Sequence, residues 1–306
     1  MGTLGLDSVE TPFASRDAVP GGSATHFSLA AGFFTDVRVV GVVGDDLGEE
    51  PLAALAERGI DVSDVERVPG GRSFRWRVRY DYALSVAGAE AEAGVLDGFR
   101  PRLSEASRRA STLYLGNFEP ALQREVREAC PGAALVGLDT MDHWIETARD
   151  RLVPAIAAVD CVVLNEAEIR RLAQEPSLPL AARTIRAWGP RLVVVKLGRH
   201  GAALFTRDGA FAVPGYPLER IVDPTGAGDH FAGGFLGYLD AHADEGLDGE
   251  VVRRAMVYGS VVASFGVEGW GPERIRRLTR TEIGERFDAF QRLTRFEAEP
   301  ARDPAG

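Results

Sequence analysis

Thr225-Gly226-Ala227-Gly228-Asp229 sets three residues with little or no side chain in front of a single carboxylate. Phe231, Phe235, Leu236 and Leu239 then fall at helical spacing, so the small residues stand where a helix begins. The first backbone N–H groups of a helix have no partner inside it. Glycines let an anion approach those amides closely, and the aligned peptide dipoles favour negative charge there. A helix cap would account for Asp229 without any chemistry. The chemical alternative divides the labour: Asp229 accepts the proton of an attacking hydroxyl, while the amides take up charge on a phosphoryl group in transfer. No Gly-Lys-Ser/Thr follows, so this is not a P-loop, and a dinucleotide Gly-x-Gly-x-x-Gly would follow an early strand.

Such a constellation needs a scaffold, and the 306 residues suffice for one large core with a small appendage. Residues 1–306 are therefore read as a single domain. With 45% hydrophobic and 26% charged residues the composition is that of an ordinary globular protein. A net charge of −10 argues against a general nucleic-acid or anionic-membrane surface, though not against a local anion pocket. Cys130 and Cys161 have no metal or redox spacing and read as buried small hydrophobes. No leader or membrane-length apolar run is visible, so a cytoplasmic protein is expected.

Strand-like apolar runs at 37–44, 111–116, 133–139, 160–165 and 191–198 alternate with helical patterns near 25–34, 49–58, 119–129, 166–173, 179–188 and 248–263. Valine and leucine runs without polar alternation suit strands buried on both faces, hence a doubly wound, mostly parallel α/β sheet flanked by helices. Ile221 and Val222 look like the end of one more such strand. Polar residues gather where the runs stop, at Asp45, Asp139, Asn165 and Lys196, the edge at which open sheets bind ligands. "GRSFRWRVRYDYAL" breaks the rhythm: Phe74, Trp76, Val78 and Tyr80 alternate with Arg75, Arg77, Arg79 and Asp81. That predicts a strand with one covered face, in a small sheet acting as a lid or a dimer contact. "MGTLGLDSVETPF" reads like the exit of a first strand with almost no strand before it, so the first strand is short or its start is misassigned.

At this point a resemblance is plain. "DPTGAGDHFAGGF" resembles the second signature of the PfkB, or ribokinase-like, family of ATP-dependent carbohydrate and nucleoside kinases, and "GGSATHFSLAAGFF" with "VVGVVGDDLG" resembles its first. The similarity runs from about Gly2 to Leu293. It implies a β-lid (strands near 8–20 and 71–88) over the acceptor, and transfer of the γ-phosphoryl of ATP to a primary alcohol. It places Asp229 as the catalytic base and Gly226, Ala227 and Gly228 as the anion hole, with Thr225 beside the nucleotide. Asn165 and Glu168 match an Asn-x-x-Glu that orders Mg²⁺ and triphosphate, largely through water, although the same pair is a common helix cap. Asp7 matches an aspartate that binds acceptor hydroxyls, and Gly21-Gly22 a pair passing under the sugar. Lys196 and Gly198 fall in a stretch lining the nucleotide, although a lysine at a strand end can equally face solvent. Residues 260–271 resemble a region that coordinates K⁺ in several relatives, which makes K⁺ a candidate cofactor beside ATP and Mg²⁺.

His26 departs from the pattern, which usually has asparagine there. Imidazole also donates and accepts hydrogen bonds, but with a different reach. The departure bears on acceptor identity and leaves phosphoryl transfer intact. A small sugar is the first expectation. The alternatives are a nucleoside, for which Phe13, Phe74, Trp76 and Tyr80 offer a base slot, and a non-catalytic binding protein. A homodimer through the lid is also expected.

Overall fold

In the computed structural model, residues 1–247 and 249–295 are described. Among them the chain forms β1 (Gly5–Glu10), β2 (Ser15–Gly21), β3 (Arg38–Gly44), β4 (Asp61–Val68), β5 (Phe74–Tyr80) and β6 (Val86–Glu92). It continues with β7 (Thr112–Leu115), β8 (Leu135–Leu138), β9 (Cys161–Asn165), β10 (Leu192–Lys196), β11 (Ala202–Thr206) and β12 (Gly209–Val213), with helices between. The main sheet has the order β12-β11-β10-β9-β8-β7, with β7 to β10 parallel and β11 and β12 antiparallel. β3 and β4 form a parallel pair. The backbone of Met1 and Gly2 links that pair to the main sheet, since Gly2 N donates to Val40 O and Gly116 N to Met1 O. A cavity of about 670 Å³ lies between β3 and β7, lined by Val39, Val40 and Leu113 among others.

The valine runs explain the two-layer burial. Along β9 and β10, Cys161, Val163, Leu192 and Val194 enter one core with Phe231, Phe235, Leu236, Val261 and Val262. Val162, Leu164, Val193 and Val195, one residue out of phase, enter another with Ile156, Ile169, Leu172 and Ile185. Period-two alternation thus buries the first four residues of each strand, as a sheet covered on both faces requires, and leaves Asn165 and Lys196 half-buried at the ends. On the first face the helix Ala227–Ala241 packs tightly on the helix Ser23–Ala31. Gly233 permits the close approach: a Cβ there would lie 2.4 Å from Phe27 O.

A separate four-stranded sheet, β2-β1-β5-β6, joins strands from the two segments expected to project. β1 runs parallel to β5 with Asp7 opposite Trp76 and Val9 opposite Val78, so these four share one face. The expected alternation along β5 is present: Val78 is buried, and Arg77 and Arg79 are exposed.

Two expectations need correction. Ile221 and Val222 do not end a strand; they lie in the irregular segment after β12, where Val222 N donates to Val267 O. Pro214, Pro217 and Pro224 crowd that stretch and remove ladder donors. Asp7 does not follow a strand but sits inside β1, which belongs to the projecting sheet. The hairpin β11–β12 and the helices Arg149–Ala157 and Arg280–Thr294 were not among the expected elements; Pro154 obscures the first helix, whereas Ile283, Phe287 and Phe290 mark the second at helical spacing.

Candidate active site

Three parallel strands end side by side with polar residues: β8 leads into Asp139, β9 ends at Asn165 and β10 at Lys196. Opposite them the helix Ala227–Ala241 begins. Its N-cap, Gly226, has φ 73° and ψ −2°, a left-handed conformation that glycine adopts without cost. A Cβ at Gly226 would come within 2.5 Å of the His26 ring, and one at Gly228 within 3.1 Å of Lys196 Nζ. The two glycines therefore hold the turn open between an imidazole and an ammonium group. The turn is fixed from behind by buried Asp223, whose Oδ1 accepts from Thr225 N (2.9 Å) and whose Oδ2 accepts from Gly271 N (3.0 Å).

Lys196 Nζ donates to Asp139 Oδ2 at 2.9 Å. The Tyr114 hydroxyl lies 3.3 Å from that same oxygen and 3.3 Å from Asp229 Oδ1, its ring stacked on Phe27. With one proton to give, it serves one carboxylate at a time. Burial raises the Asp229 carboxyl to about 6, with the Asp139 charge adding to the rise and His26, Lys196 and the Tyr114 hydrogen bond opposing it. At neutral pH Asp229 is thus mostly ionised but a stronger base than an exposed aspartate, a condition suited to general-base work. Burial alone would lower the Lys196 ammonium; the charges of Asp139, Glu168 and Asp229 outweigh it and raise the group.

Asn165 and Glu168 form a full capping box: Asn165 Oδ1 accepts from Glu168 N (2.8 Å), and Glu168 Oε2 from Asn165 N (2.7 Å). The structural explanation for the pair therefore holds. Yet Glu168 is buried, and burial pushes its carboxyl up to about 8, with Lys196 lowering and Asp139 raising it. A carboxyl so placed gains by meeting a cation.

On the other side of Gly226 lie Asp7 and His26, both buried, with His26 Nε2 3.8 Å from Asp7 Oδ2. At that length the contact is electrostatic, and neither His26 Nε2 nor Asp7 Oδ1 has a hydrogen-bond partner in the protein. Gly21 lets the carboxylate lie against the backbone: a Cβ there would fall 2.0 Å from Asp7 Oδ2. Gly22, at φ 91°, caps the helix that carries His26.

The structure thus gathers Asp229, Gly226, Gly228, Lys196, His26, Asp7 and Gly21 into one group, with Thr225 and Ala227 in the same turn. Gly198 makes no close contact with that group among the described residues; it opens a short turn into β11 with φ 59°. Sequence reasoning missed Tyr114 and Asp223 as site residues. Tyr114 is hidden in an apolar strand, while the Asp-Pro-Thr turn could have marked Asp223.

Comparison with known proteins follows the same lines. A family profile described as pfkB family carbohydrate kinase matches residues 13–273. The chain is 32% identical over 245 residues to a cytidine kinase of Thermococcus kodakarensis, covering 77% of this chain and 86% of that one. It is 28% identical over 294 residues to an ATP-dependent ribose-1-phosphate kinase of Halopiger xanaduensis, covering 91% of each. Among solved structures, a Burkholderia thailandensis nucleoside kinase in complex with inosine superimposes with a TM-score of 0.77 at 19% identity, over 94% of this chain and 96% of that one. A protein from E. coli described as a ribokinase II, in complex with ATP and Mg²⁺, does so with a TM-score of 0.76 at 18% identity, over 95% and 97%. The last two likenesses show the shared ribokinase-like α/β fold. The chain is therefore a kinase and belongs to the pfkB family of carbohydrate kinases.

Proposed function

We propose that this kinase moves the γ-phosphoryl of ATP to a primary hydroxyl of a small furanose, with Asp229 as general base and the 226–228 amides as anion hole. The observation that carries the reading is the Asp229 carboxylate, raised to about 6, in the first turn of a helix that opens between Gly226 and Gly228; the Ala227 amide there makes only a long bond, 3.3 Å to Pro224 O, which an anion would replace. A pure binding protein has no use for a carboxylate beside an anion site.

The residues suit a triphosphate. Lys196 Nζ lies over Gly228 where any Cβ would intrude, which sets an ammonium beside the amide turn. Among the described residues no group of three His, Cys, Asp or Glu could hold a metal ion by itself, which suits a Mg²⁺ carried by phosphate oxygens and waters. Bound ATP with Mg²⁺ would supply the phosphoryl group and neutralise its charge. Asp229 takes the hydroxyl proton on Oδ2, the oxygen that Tyr114 leaves free, while Asp7 and His26 hold other hydroxyls of the acceptor. K⁺ near residues 260–271 stays a candidate. Gly271 N already ties that stretch to the anion turn through Asp223.

The acceptor is read first as a free sugar. A nucleoside is the second reading, favoured by the 32% identity to a cytidine kinase. The apolar face of β5 supports either: Trp76 stands beside Asp7, and the Tyr80 hydroxyl lies 3.1 Å from Thr225 Oγ1, so the small sheet reaches the anion turn. We read it as a lid that keeps water, itself a phosphoryl acceptor, from the reacting hydroxyl. Phe13 and Tyr82 are 66% and 82% exposed on this sheet's loops, which makes it also the candidate subunit contact.

Sugars and nucleosides offered with Mg-ATP and followed by ADP release test the reading. At least one furanose should release ADP well above the acceptor-free rate, and none doing so removes it. Glu168→Gln keeps the cap but cannot ionise when a cation arrives. It should raise the Mg²⁺ needed for half-maximal rate by about tenfold; an unchanged Mg²⁺ dependence takes Glu168 out of the metal's surroundings. Trp76→Glu would set a charge against Asp7 on a half-buried face. It should weaken acceptor binding far more than ATP binding and, in sedimentation velocity, shift a dimer toward monomer. A wild-type protein that sediments as a monomer at tens of micromolar discards the subunit contact and leaves the lid reading standing.

A further inference from the structure

His230 follows the proposed base directly and has no part in the chemistry described so far. It is fully buried, and its Nε2 lies 3.3 Å from His26 Nδ1, with the rings edge to face at 79° and centroids 4.7 Å apart. Space is cleared for both rings. A Cβ at Gly226 would strike His26 at 2.5 Å, and one at Gly266 would come within 2.3 Å of His230 Nδ1. The result is a row of three buried groups, Asp7, His26 and His230, running from the β1 strand through the helix Ser23–Ala31 to the helix Ala227–Ala241.

We propose that His230 is a positioning residue for acceptor recognition: it holds the His26 imidazole with Nε2–H turned toward Asp7, so that the pair gives a hydrogen bond to one hydroxyl and takes one from its neighbour in a furanose diol. Only the identity of the ligand rests on the kinase reading above.

The tautomers follow from the contacts. A bare Nε2 on His26 would set a lone pair 3.8 Å from a carboxylate oxygen, so that nitrogen carries hydrogen. One proton then lies between the rings. When His26 is neutral, its Nδ1 accepts from His230 Nε2–H, and His230 Nδ1 is left as a buried acceptor without a partner. When His26 is charged, its Nδ1–H donates to His230 Nε2, which moves the His230 hydrogen to Nδ1. In both states His26 presents the same donor to the acceptor side. The charged groups facing His26 are Asp7 from β1, Asp229 from the helix Ala227–Ala241, and Asp223 from the loop before it. Burial alone would lower the His26 imidazole; these carboxylates outweigh it and raise the group. Burial, with the His26 charge added, holds His230 well below the usual histidine range. Of the two rings, His26 is therefore the one that takes the proton.

Asp7 Oδ1 and His26 Nε2, buried and without partners, are the two atoms such a diol would meet. An asparagine at position 26 needs no second ring to orient it, which gives His230 a purpose tied to His26 alone.

Long-range ¹H–¹⁵N spectra of the ligand-free protein, which has five histidines, read the tautomers directly. His26, assigned by its loss in His26→Asn, should carry hydrogen on Nε2 at every pH, and, at a pH high enough to leave it neutral, His230→Leu should turn it into a tautomer mixture. A His26 with bare Nε2 in the wild type, or a ring unaffected by His230→Leu, overturns the proposal. Kinetics with cytidine and D-ribose as probes give the second readout. His230→Leu should raise the KM of the acceptor used by about tenfold, the order of one charged hydrogen bond, and leave the KM for ATP nearly constant. In a His26→Asn background the same substitution should do almost nothing; an equal loss there would make His230 merely structural and overturn the assignment. If His230→Leu does not fold, the wild-type spectrum still decides. If neither probe is phosphorylated, the acceptor reading is at fault while the tautomer result stands.

Discussion

Asp229→Asn is expected to lower kcat by about 10²–10⁴-fold while ATP binding stays measurable, the usual cost of losing a positioned base. Asparagine keeps the shape of the helix turn and the contact with Tyr114 but cannot take a proton. Because burial raises Asp229 to about 6, the wild-type kcat/KM should fall about tenfold per unit below that pH. The same residue should be a burden on stability. A carboxyl raised from 3.8 to about 6 makes the folded state bind more protons than the unfolded chain. Its penalty is absent below the unfolded value and complete above the folded one. Asp229→Asn should therefore raise Tm at pH 7 and change it little at pH 4, as differential scanning calorimetry would show. A variant keeping more than about a tenth of the wild-type kcat would remove Asp229 from the base role.

Gly226→Ala is expected to be nearly as damaging, for a conformational reason. At φ 73° an alanine sits in the left-handed region, at about 1–2 kcal/mol. Its Cβ would also lie 2.5 Å from the His26 ring, which Asp7 and His230 hold from two sides and which cannot simply step back. The turn must shift, and the amides with it. A misplacement of the anion hole by about 1 Å should cost about 10²-fold in kcat/KM, with a lower Tm. His26→Asn, by shrinking the neighbour, should restore part of that loss in the double variant. Steady-state kinetics and thermal melts of the three proteins check this; a fully active Gly226→Ala would show that the turn tolerates the methyl group.

The two cases show which parts of the site were legible in the sequence. Gly226, Gly228 and Asp229 announce themselves because the conformational demand and the chemistry are written in adjacent residues. β9, β10 and the helix Glu166–Ala173 were legible through their valine runs and the Asn165–Glu168 spacing, which the structure returns as buried strands and a capping box. The bond between Tyr114 and Asp229 spans 115 positions, and that between His26 and His230 spans 204. No local pattern encodes such contacts; they follow from how β7 and two helices pack. Ile221 and Val222 misled for the converse reason. They are only half-buried and meet the segment near Val267 through the Val222 amide rather than in a ladder, and the prolines around them were the better guide. Asp7 was singled out as a candidate by resemblance, but its strand was not legible: β1 is short, and of its two partners only β2 is local, while β5 lies more than sixty positions on.

The central claim is phosphoryl transfer to a hydroxyl with Asp229 as base. The most direct measurement follows ADP and phosphorylated acceptor together, by coupled assay and mass spectrometry, for wild type and Asp229→Asn with Mg-ATP and a panel of furanoses and nucleosides. The account predicts that at least one acceptor yields both products in equal amounts with the wild type, and that the variant loses nearly all of that rate. ADP release without a phosphorylated acceptor, or equal rates from the two proteins, would contradict it.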